Sequence, residues 1–267
     1  MSPNTLYYKK VNKAKKDEHL LKEIEYIINI FPAIGYLETT KILKKTMKVG
    51  KNRVYRIMKI NNLLNKKRPI KKDFSTDSKH KYFKFENLIS NVKPTGITQI
   101  IVGDVTAFDI QGKDHYLALL MDVYNREIVG CAVSGKNDTN LVLSALENAY
   151  TRRGNLQDCI HHTDADVRYC SDKYVNRLQE LGMRISMCVG NVYENAHAES
   201  LNGTIKREEI NISEYTSLQE AAYSIFNYAD KYNNIRPHSG INDHTPMEFI
   251  RIQKEIKNQL NLKKSNI

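Results

Sequence analysis

The apolar residues of this chain change their spacing near residue 98, and this change constrains the fold more than any other feature. Between about Glu18 and Asn65 they recur at helical intervals. The clearest helical run consists of Leu20, Leu21, Ile24, Ile27 and Ile28. From about Thr98 they form short apolar blocks at residues 99–102, 115–123 and 128–134, which predict three antiparallel strands with a turn at 111–113. A helical unit therefore precedes a domain that begins as a sheet.

Strands and helices alternate in the second half of the chain. Residues 137–139, Asn-Asp-Thr, form a capping sequence for a helix through about Arg152. A short strand is expected at 159–162 and a helix at 171–181, followed by helical segments around 196–205 and a last long helix at 218–232. This alternation is typical of the α/β class.

The leading helical unit has the outline of a helix-turn-helix. A short helix around residues 39–48 is followed by a turn at 49–52 and by a helix that carries Arg53 and Arg56. These two arginines either contact DNA or lie on the solvated face of a three-helix bundle, and their spacing does not distinguish the two. The basic stretch after residue 65 is typical of a linker.

Composition narrows the class of partner. The 267 residues include 41 Lys and Arg against 30 Asp and Glu, a formal charge of +11, which favours nucleic acid. The four cysteines form no CxxC pair, so a zinc finger is not indicated. No apolar run reaches the roughly 20 residues that a bilayer requires, and no signal-peptide core is present, so we expect a cytoplasmic protein without a membrane partner.

Three acidic residues stand where strand ends and a helix can bring them together. Asp104 follows the first predicted strand, Asp164 follows the short strand ending at His162, and Glu199 lies on a predicted helix. Such carboxylates can hold two Mg²⁺ ions roughly 3.5–4 Å apart, an arrangement that stabilises the attacking and leaving oxygens of a phosphodiester. Chain order alone is weak support, because 30 acidic residues offer many triplets.

The sequence around these acids is more specific. The segments that carry a family resemblance are Gly35-Tyr36, 54–58 (VYRIM), 162–164 (HTD) with Tyr169 and Ser171, 185–187 (ISM), 193–200 (YENAHAES), 206–208 (KRE), 232–238 (YNNIRPH) and 245–249 (TPMEF). Together they resemble the second-frame (OrfB) transposases of bacterial insertion sequences, from about residue 18 to residue 250. Two positions depart from the family pattern: Val102-Gly103 replaces an aromatic residue, and Asp166 replaces a glycine. The extra carboxylate of Asp166 either perturbs metal binding or faces solvent.

The resemblance implies a ribonuclease-H-like integrase core, a mixed five-stranded sheet flanked by helices, preceded by a small all-α helix-turn-helix domain. We divide the chain into an N-terminal extension (1–17), the helix-turn-helix-like domain (18–65), a basic linker (66–95), the integrase catalytic core (96–250) and a C-terminal tail (251–267).

The resemblance also implies the chemistry. Asp104, Asp164 and Glu199 would be the catalytic metal ligands for two Mg²⁺ or Mn²⁺ ions, and the protein would cleave the 3′ ends of an insertion sequence and transfer them to target DNA. The implied partners are the terminal inverted repeats, the target DNA, a first-frame (OrfA) protein as partner or fusion, and further copies of the chain on DNA. The alternatives are a catalytically inactive DNA-binding regulator or element remnant, and a general ribonuclease-H-like nuclease.

Supporting residues are assigned to DNA or to the core. Lys206, two helical turns after Glu199, can contact a phosphate or simply lie on the surface. Asn195, one turn before Glu199, can orient that glutamate or a base. Arg236 and His238 follow the last long predicted helix and either contact DNA or cap the core, and His162 either hydrogen-bonds within the site or is a buried core histidine.

Overall fold

A computed structural model describes residues 13–65, 81–90, 92–188 and 195–265 of the chain. It divides the chain into two compact units, Met1–Pro69 and Ile70–Ile267. Of the predicted segments, the N-terminal extension before residue 13 and the linker residues 66–80 lie outside the described residues. Among the residues that are described, no helix is both long and apolar enough to cross a membrane.

The first unit contains three helices packed on one small core. They are α1 (Lys13–Ile30), α2 (Tyr36–Leu43) and α3 (Lys51–Ile60). The helical spacing noted in the sequence reflects this packing, because Leu20, Ile24 and Ile27 of α1 are buried together with Val54 and Ile57 of α3. Helix α2 begins and ends earlier than predicted. A three-helix arrangement is therefore present, and its use as a DNA-binding helix-turn-helix stays a prediction.

The second unit is built on a mixed five-stranded sheet, which confirms the predicted fold class. Its strands are β1 (Ile100–Ile110), β2 (Lys113–Asp122), β3 (Ile128–Ser134), β4 (Ile160–Asp164) and β5 (Arg184–Cys188). The spatial order is β3-β2-β1-β4-β5. The first three strands are antiparallel, whereas β4 runs parallel to β1 and β5 parallel to β4.

The first strand is longer than predicted, and this changes the position of Asp104. Strand β1 stays paired with β2 as far as Ile110, where Gln111 (φ 52°) and Gly112 (φ 79°) form a tight turn in the left-handed region. Asp104 therefore lies inside β1 rather than at its end. The length of the strand was not evident from the sequence. Its outer half is only partly buried and contains polar residues, so it forms no continuous apolar block.

Among the described residues, five α-helices complete this unit: α4 (Thr139–Arg153), α5 (Asp172–Glu180), α6 (Ala196–Glu208), α7 (Leu218–Asn234) and α8 (Pro246–Ser265). The predicted cap of α4 is confirmed, since the Asp138 side chain accepts hydrogen bonds from the backbone N–H groups of Asn140 and Leu141. Side chains of α4 and α5 pack into one core cluster with residues of the sheet, among them Ile101 and Leu120.

Two predicted boundary segments are part of the folded unit. The segment expected to be a tail from residue 251 is helical in residues 251–265, which continue α8. This helix begins with a capping box, in which Thr245 Oγ1 accepts from the Glu248 N–H and the Glu248 carboxylate accepts from the Thr245 N–H. The end of the expected linker also contacts the sheet, because the Leu88 N–H donates to Ser186 Oγ at 2.8 Å.

A buried ion pair joins the end of α6 to the segment that follows α7. Arg236 donates from Nε and Nη2 to the two carboxylate oxygens of Glu208, at 2.8 and 2.7 Å, and the Tyr228 hydroxyl donates to the same carboxylate. The side chains of Arg236 and Glu208 are only 11% and 5% exposed. Since each charge depends on the other for its solvation, the pair fixes the two segments together.

Gly130 allows α4 to lie directly on β3, so we expect Gly130→Ala to destabilise the protein. An added Cβ would stand 2.2 Å from the backbone oxygen of Ala145, and a backbone atom cannot rotate away. We expect the free energy of unfolding to fall by about 1–3 kcal/mol in urea titrations. The matched control is Gly203→Ala in α6, where a Cβ meets nothing within 4 Å and should stabilise the helix slightly. Equal midpoints for Gly130→Ala and wild type would contradict this packing.

Arg236→Gln should lower the free energy of unfolding by about 3–5 kcal/mol, because it leaves the buried Glu208 carboxylate without its cation. The double variant Glu208→Gln/Arg236→Gln removes both charges and should recover part of the loss. Thermal and urea unfolding of the two variants measure this difference. A single variant as stable as wild type would show that the ion pair does not hold these segments.

Candidate active site

Two of the three predicted acidic residues lie side by side on neighbouring parallel strands. Strands β1 and β4 pair in parallel, with Val102 opposite His162. Continuing that register by two residues brings Asp104 level with Asp164, the last residue of β4, on the same face of the sheet. The two side chains therefore lie near each other at the same end of the two strands, close enough for the charge of Asp164 to act on Asp104.

The electrostatics of Asp104 reflect this arrangement. Burial, together with the negative charge of Asp164, raises the pKa of Asp104 to about 7. Two hydrogen bonds oppose the shift, from the Val105 N–H to Oδ1 and from Asn202 Nδ2 to Oδ2, both 2.8 Å long. A pair of carboxylates held together in this way favours a cation between them.

Helix α6 is attached to β1 by two asparagines, one on each side of Glu199. Asn195 Nδ2 donates to the backbone oxygen of Gly103 at 3.1 Å, and Asn202 Nδ2 donates to Asp104. Glu199 is four residues after the first and three before the second, so it shares their face of the helix. The sequence analysis missed Asn202, although its position one turn after Glu199 was a usable signal.

Glu199 itself is not gathered with the two aspartates. Glu199 is an exposed residue of α6. Across the described ranges, no three His, Cys, Asp or Glu side chains lie close enough to hold a metal ion. The structure thus brings Asp104 and Asp164 together and places Glu199 on the adjoining helix face. Tyr193 and Glu194, which belong to the motif that leads into α6, lie outside the described residues.

The donor set nevertheless fits a divalent cation. Carboxylate oxygens are the ligands that Mg²⁺ and Mn²⁺ favour, and Asp104 and Asp164 supply them from one face of the sheet. Asn202 adds an amide oxygen, Oδ1, that is buried and has no hydrogen-bond partner among the described residues. Beside the carboxylate pair, that oxygen is suited to a cation or to one of its water ligands.

The two histidines that precede Asp164 in β4 are core residues. His162 is buried on the face of β4 that carries Asp164, and its Nδ1 lies 2.8 Å from Ser186 Oγ on β5. His161 points to the other face, where its Nε2 lies 2.8 Å from the Tyr174 hydroxyl, and burial lowers its pKa to about 4. Of the two roles considered for His162, the buried core histidine is the one that the structure describes.

Three further acidic residues of this unit, Asp109, Asp122 and Asp166, have structural partners. Asp109 accepts a hydrogen bond from the Gly112 N–H in the turn after β1. Asp122 is buried at the end of β2, where Arg153 of α4 donates to it at 3.0 Å. Asp166 is buried rather than facing solvent, and it forms an ion pair with Arg168, while its effect on metal binding stays a prediction.

The residues assigned to DNA contacts have diverse positions. Arg53 and Arg56 both pair with Asp17 of α1, at 2.8 and 2.7 Å, and remain partly exposed. Asn195 is 4% exposed and serves as an anchor of α6. Lys206 is partly buried on α6, two turns after Glu199. For Arg53, Arg56 and Lys206, contact with DNA stays a prediction.

Arg236 and His238 occupy core positions rather than a free surface. Arg236 is committed to Glu208, and the ring of His238 packs on that of Tyr232 with centroids 4.3 Å apart. His238 is 8% exposed. Their position supports the core-capping alternative, and the DNA contact predicted for them has no support in it.

Comparison with known proteins identifies the family. Two family models, both described as integrase core domain, match residues 94–190 and 181–246. The transposase for insertion sequence element IS904 of Lactococcus lactis is 31% identical, covering 80% of this chain and 86% of its own length. The transposase for insertion sequence element IS629 of Shigella sonnei is 29% identical, covering 88% and 83%.

Among solved structures, the HTLV-2 integrase catalytic core domain in complex with magnesium shows 16% identity and a TM-score of 0.45, covering 57% of this chain and 95% of that one. A likeness of that size adds nothing to the sequence matches. The matched segments span the sheet, both aspartates and the helix that carries Glu199. On the strength of its sequence relatives, the chain belongs to the insertion-sequence transposases that have an integrase core domain.

Proposed function

We propose that this chain catalyses metal-dependent DNA transposition, by cleaving the ends of an insertion element and joining them to a target. In the first step, water attacks the phosphorus at the element's end, the P–O3′ bond breaks, and a 3′-hydroxyl and a 5′-phosphate result. In the second step that 3′-hydroxyl attacks a phosphodiester of the target and displaces its 3′-oxygen. The observation that carries the proposal is the proximity of Asp104 and Asp164 at the same end of the adjacent strands β1 and β4.

The residues of the site have distinct tasks in this proposal. Asp104 and Asp164 would hold the cation, and Asn202 orients Asp104 through its hydrogen bond. Glu199 would complete the ligand set from α6, which its two asparagine anchors keep beside β1. When bound, divalent ions supply the positive charge that activates the attacking oxygen and stabilises the leaving one. We propose two such ions, Mg²⁺ or Mn²⁺.

The remaining chain offers surfaces for DNA. Its formal charge of +11 favours a polyanion, and the family's named members are transposases of insertion elements. We propose that the chain binds the terminal inverted repeats and target DNA, with the helical unit of α1–α3 contributing through Arg53 or Arg56. We also propose that it acts as an oligomer on DNA and with a first-frame protein. An inactive regulator is not favoured, because both aspartates are present and the hydrogen bonds that orient Asp104 are in place.

We expect Asp104→Asn to stabilise the metal-free protein above pH 7. The pKa of Asp104 is raised from 3.8 when unfolded to about 7 when folded, so the folded state binds more protons between these values. Relative to that of the variant, the free energy of unfolding of wild type should therefore decrease from pH 4 to pH 7. Above pH 7 it should stay at this lower value. Urea unfolding in chelator across this range measures the difference.

The same pair of proteins tests the cation. Adding Mg²⁺ at pH 8 should raise the unfolding midpoint of wild type and not that of Asp104→Asn, because ligand binding stabilises only the state that holds the site. Asp109→Asn, in the turn after β1, is the control and should respond as wild type does. A Mg²⁺ shift that is equal in all three proteins would contradict a metal site at Asp104.

Glu199→Gln should abolish cleavage while leaving DNA binding intact. The substrate is a labelled duplex carrying the DNA ends that flank this gene, tested with Mg²⁺, with the chain alone and fused to the upstream frame. We expect wild type to release a 3′-hydroxyl at the terminus and Glu199→Gln to cut at least about 10²-fold more slowly, because the glutamine cannot supply the ligand charge.

The matched control is Glu214→Gln, an exposed glutamate outside α6, which should cut as wild type does. If wild type binds these ends and does not cut them, the regulator or remnant takes the place of the transposase. Cleavage without preference for the terminus would instead indicate a general nuclease.

A further inference from the structure

The turn that follows β4 places an arginine beside the carboxylate pair. Asp166, two residues after Asp164, is 3% exposed and accepts two hydrogen bonds from Arg168, from its backbone N–H at 3.0 Å and from Nε at 2.5 Å. Nη1 of Arg168 donates to Asn137 Oδ1. The Cys170 N–H closes the turn on the Asp166 backbone oxygen at 3.1 Å. The guanidinium is thus held on two sides in one orientation.

The charge of Arg168 acts on the same site as the cation would. Besides burial and Asp164, which raise the pKa of Asp104, the positive charge of Arg168 lowers it. Asp164 in turn lies close enough to favour the charged form of Arg168, although burial opposes that form. Arg168 comes four residues after Asp164 and is bonded to Asp166 in the turn that ends β4, so its charge lies at the same end of the sheet as the two aspartates.

The hydrogen bonds of Arg168 leave part of its donor set unused. A guanidinium has five N–H groups, and Asp166 and Asn137 take one each through Nε and Nη1. Nη2 makes no hydrogen bond to the described residues. The Arg168 side chain is 12% exposed. An oriented arginine with unused N–H groups is suited to a phosphate oxygen, because its planar fork matches that geometry and its charge does not titrate.

We propose that Arg168 binds a non-bridging phosphate oxygen of the DNA strand at or next to the scissile bond, and that Asp166 is the positioning residue that aims it. This inference rests on the proposed function, since its ligand is the DNA end. Arg168 would add fixed positive charge where negative charge accumulates in phosphoryl transfer. Asp166 lowers the entropy that the long side chain loses on binding, because it orders the guanidinium beforehand.

The test removes the phosphate charge and the arginine separately and together. The duplexes carry one neutral methylphosphonate at successive positions around the cut, and binding is measured in Ca²⁺ to separate it from turnover. Arg168→Gln alone leaves Asp166 buried without its cation, so the main variant is Asp166→Asn/Arg168→Gln, which replaces the ion pair by neutral amides of similar shape. Arg168→Lys tests whether charge without the fork suffices.

We expect the double variant to bind the unmodified duplex about tenfold more weakly, as for one lost charge-assisted hydrogen bond. The slope of log affinity against log salt should become smaller by about one. At one position, the methylphosphonate should weaken DNA binding by wild type by a similar factor and leave binding by the double variant unchanged. The loss of affinity for Arg168→Lys should lie between those two. A purely structural Arg168 would produce neither the salt effect nor this coupling.

The matched control is Arg177→Gln on α5, an arginine that pairs with Glu147 at 2.6 Å. It should keep the wild-type response to every methylphosphonate. If the folded double variant shows the same methylphosphonate penalties and salt slope as wild type, the role of Arg168 is refuted while the transposase function stands. If wild type neither binds nor cuts the terminal duplex, the proposed function fails and this inference fails with it.

Discussion

The parallel pairing of β1 with β4 is the constraint on which the site depends. It brings together two aspartates that are 60 positions apart in the chain, and it does so with backbone hydrogen bonds rather than with the acidic side chains themselves. Two neighbouring carboxylates repel each other, so the rest of the sheet has to hold them in place. The long antiparallel ladder from β1 to β3 and the core under α4 provide that support.

The sequence was sufficient for the parts of the fold that follow from local pattern. Apolar spacing predicted the three antiparallel strands and the helices on either side of β4, and the polar sequence at 137–139 predicted the cap of α4. It could not give the length of β1, because the second half of that strand has polar residues and its pairing with β2 is decided at a distance. Helix α8 was missed although Thr245 and Glu248 form a recognisable capping box, because those residues were noted only as part of a family motif.

The candidate site divides in a similar way. Asp104 and Asp164 could be selected from the sequence because each has a family motif around it, whereas Asn202 has its role only through a contact between α6 and β1. For Arg236 the motif was misleading. Its charge and its place in a family motif suggested a contact with DNA, whereas in the structure it forms a buried ion pair with Glu208. Such pairings join residues far apart in the chain, and one sequence contains no signal for them.

The hydrogen bond from Asn195 that attaches α6 to β1 differs from DNA binding in its response to salt and pH. The bond from Asn195 to the Gly103 backbone joins two neutral groups, so neither counterions nor a change of pH weakens it in the way they weaken an ion pair. Affinity for a polyanion, by contrast, falls steeply with salt. The bond from Asn195 and the strength of DNA binding therefore depend on different forces, and surface charges can change during evolution without breaking that bond.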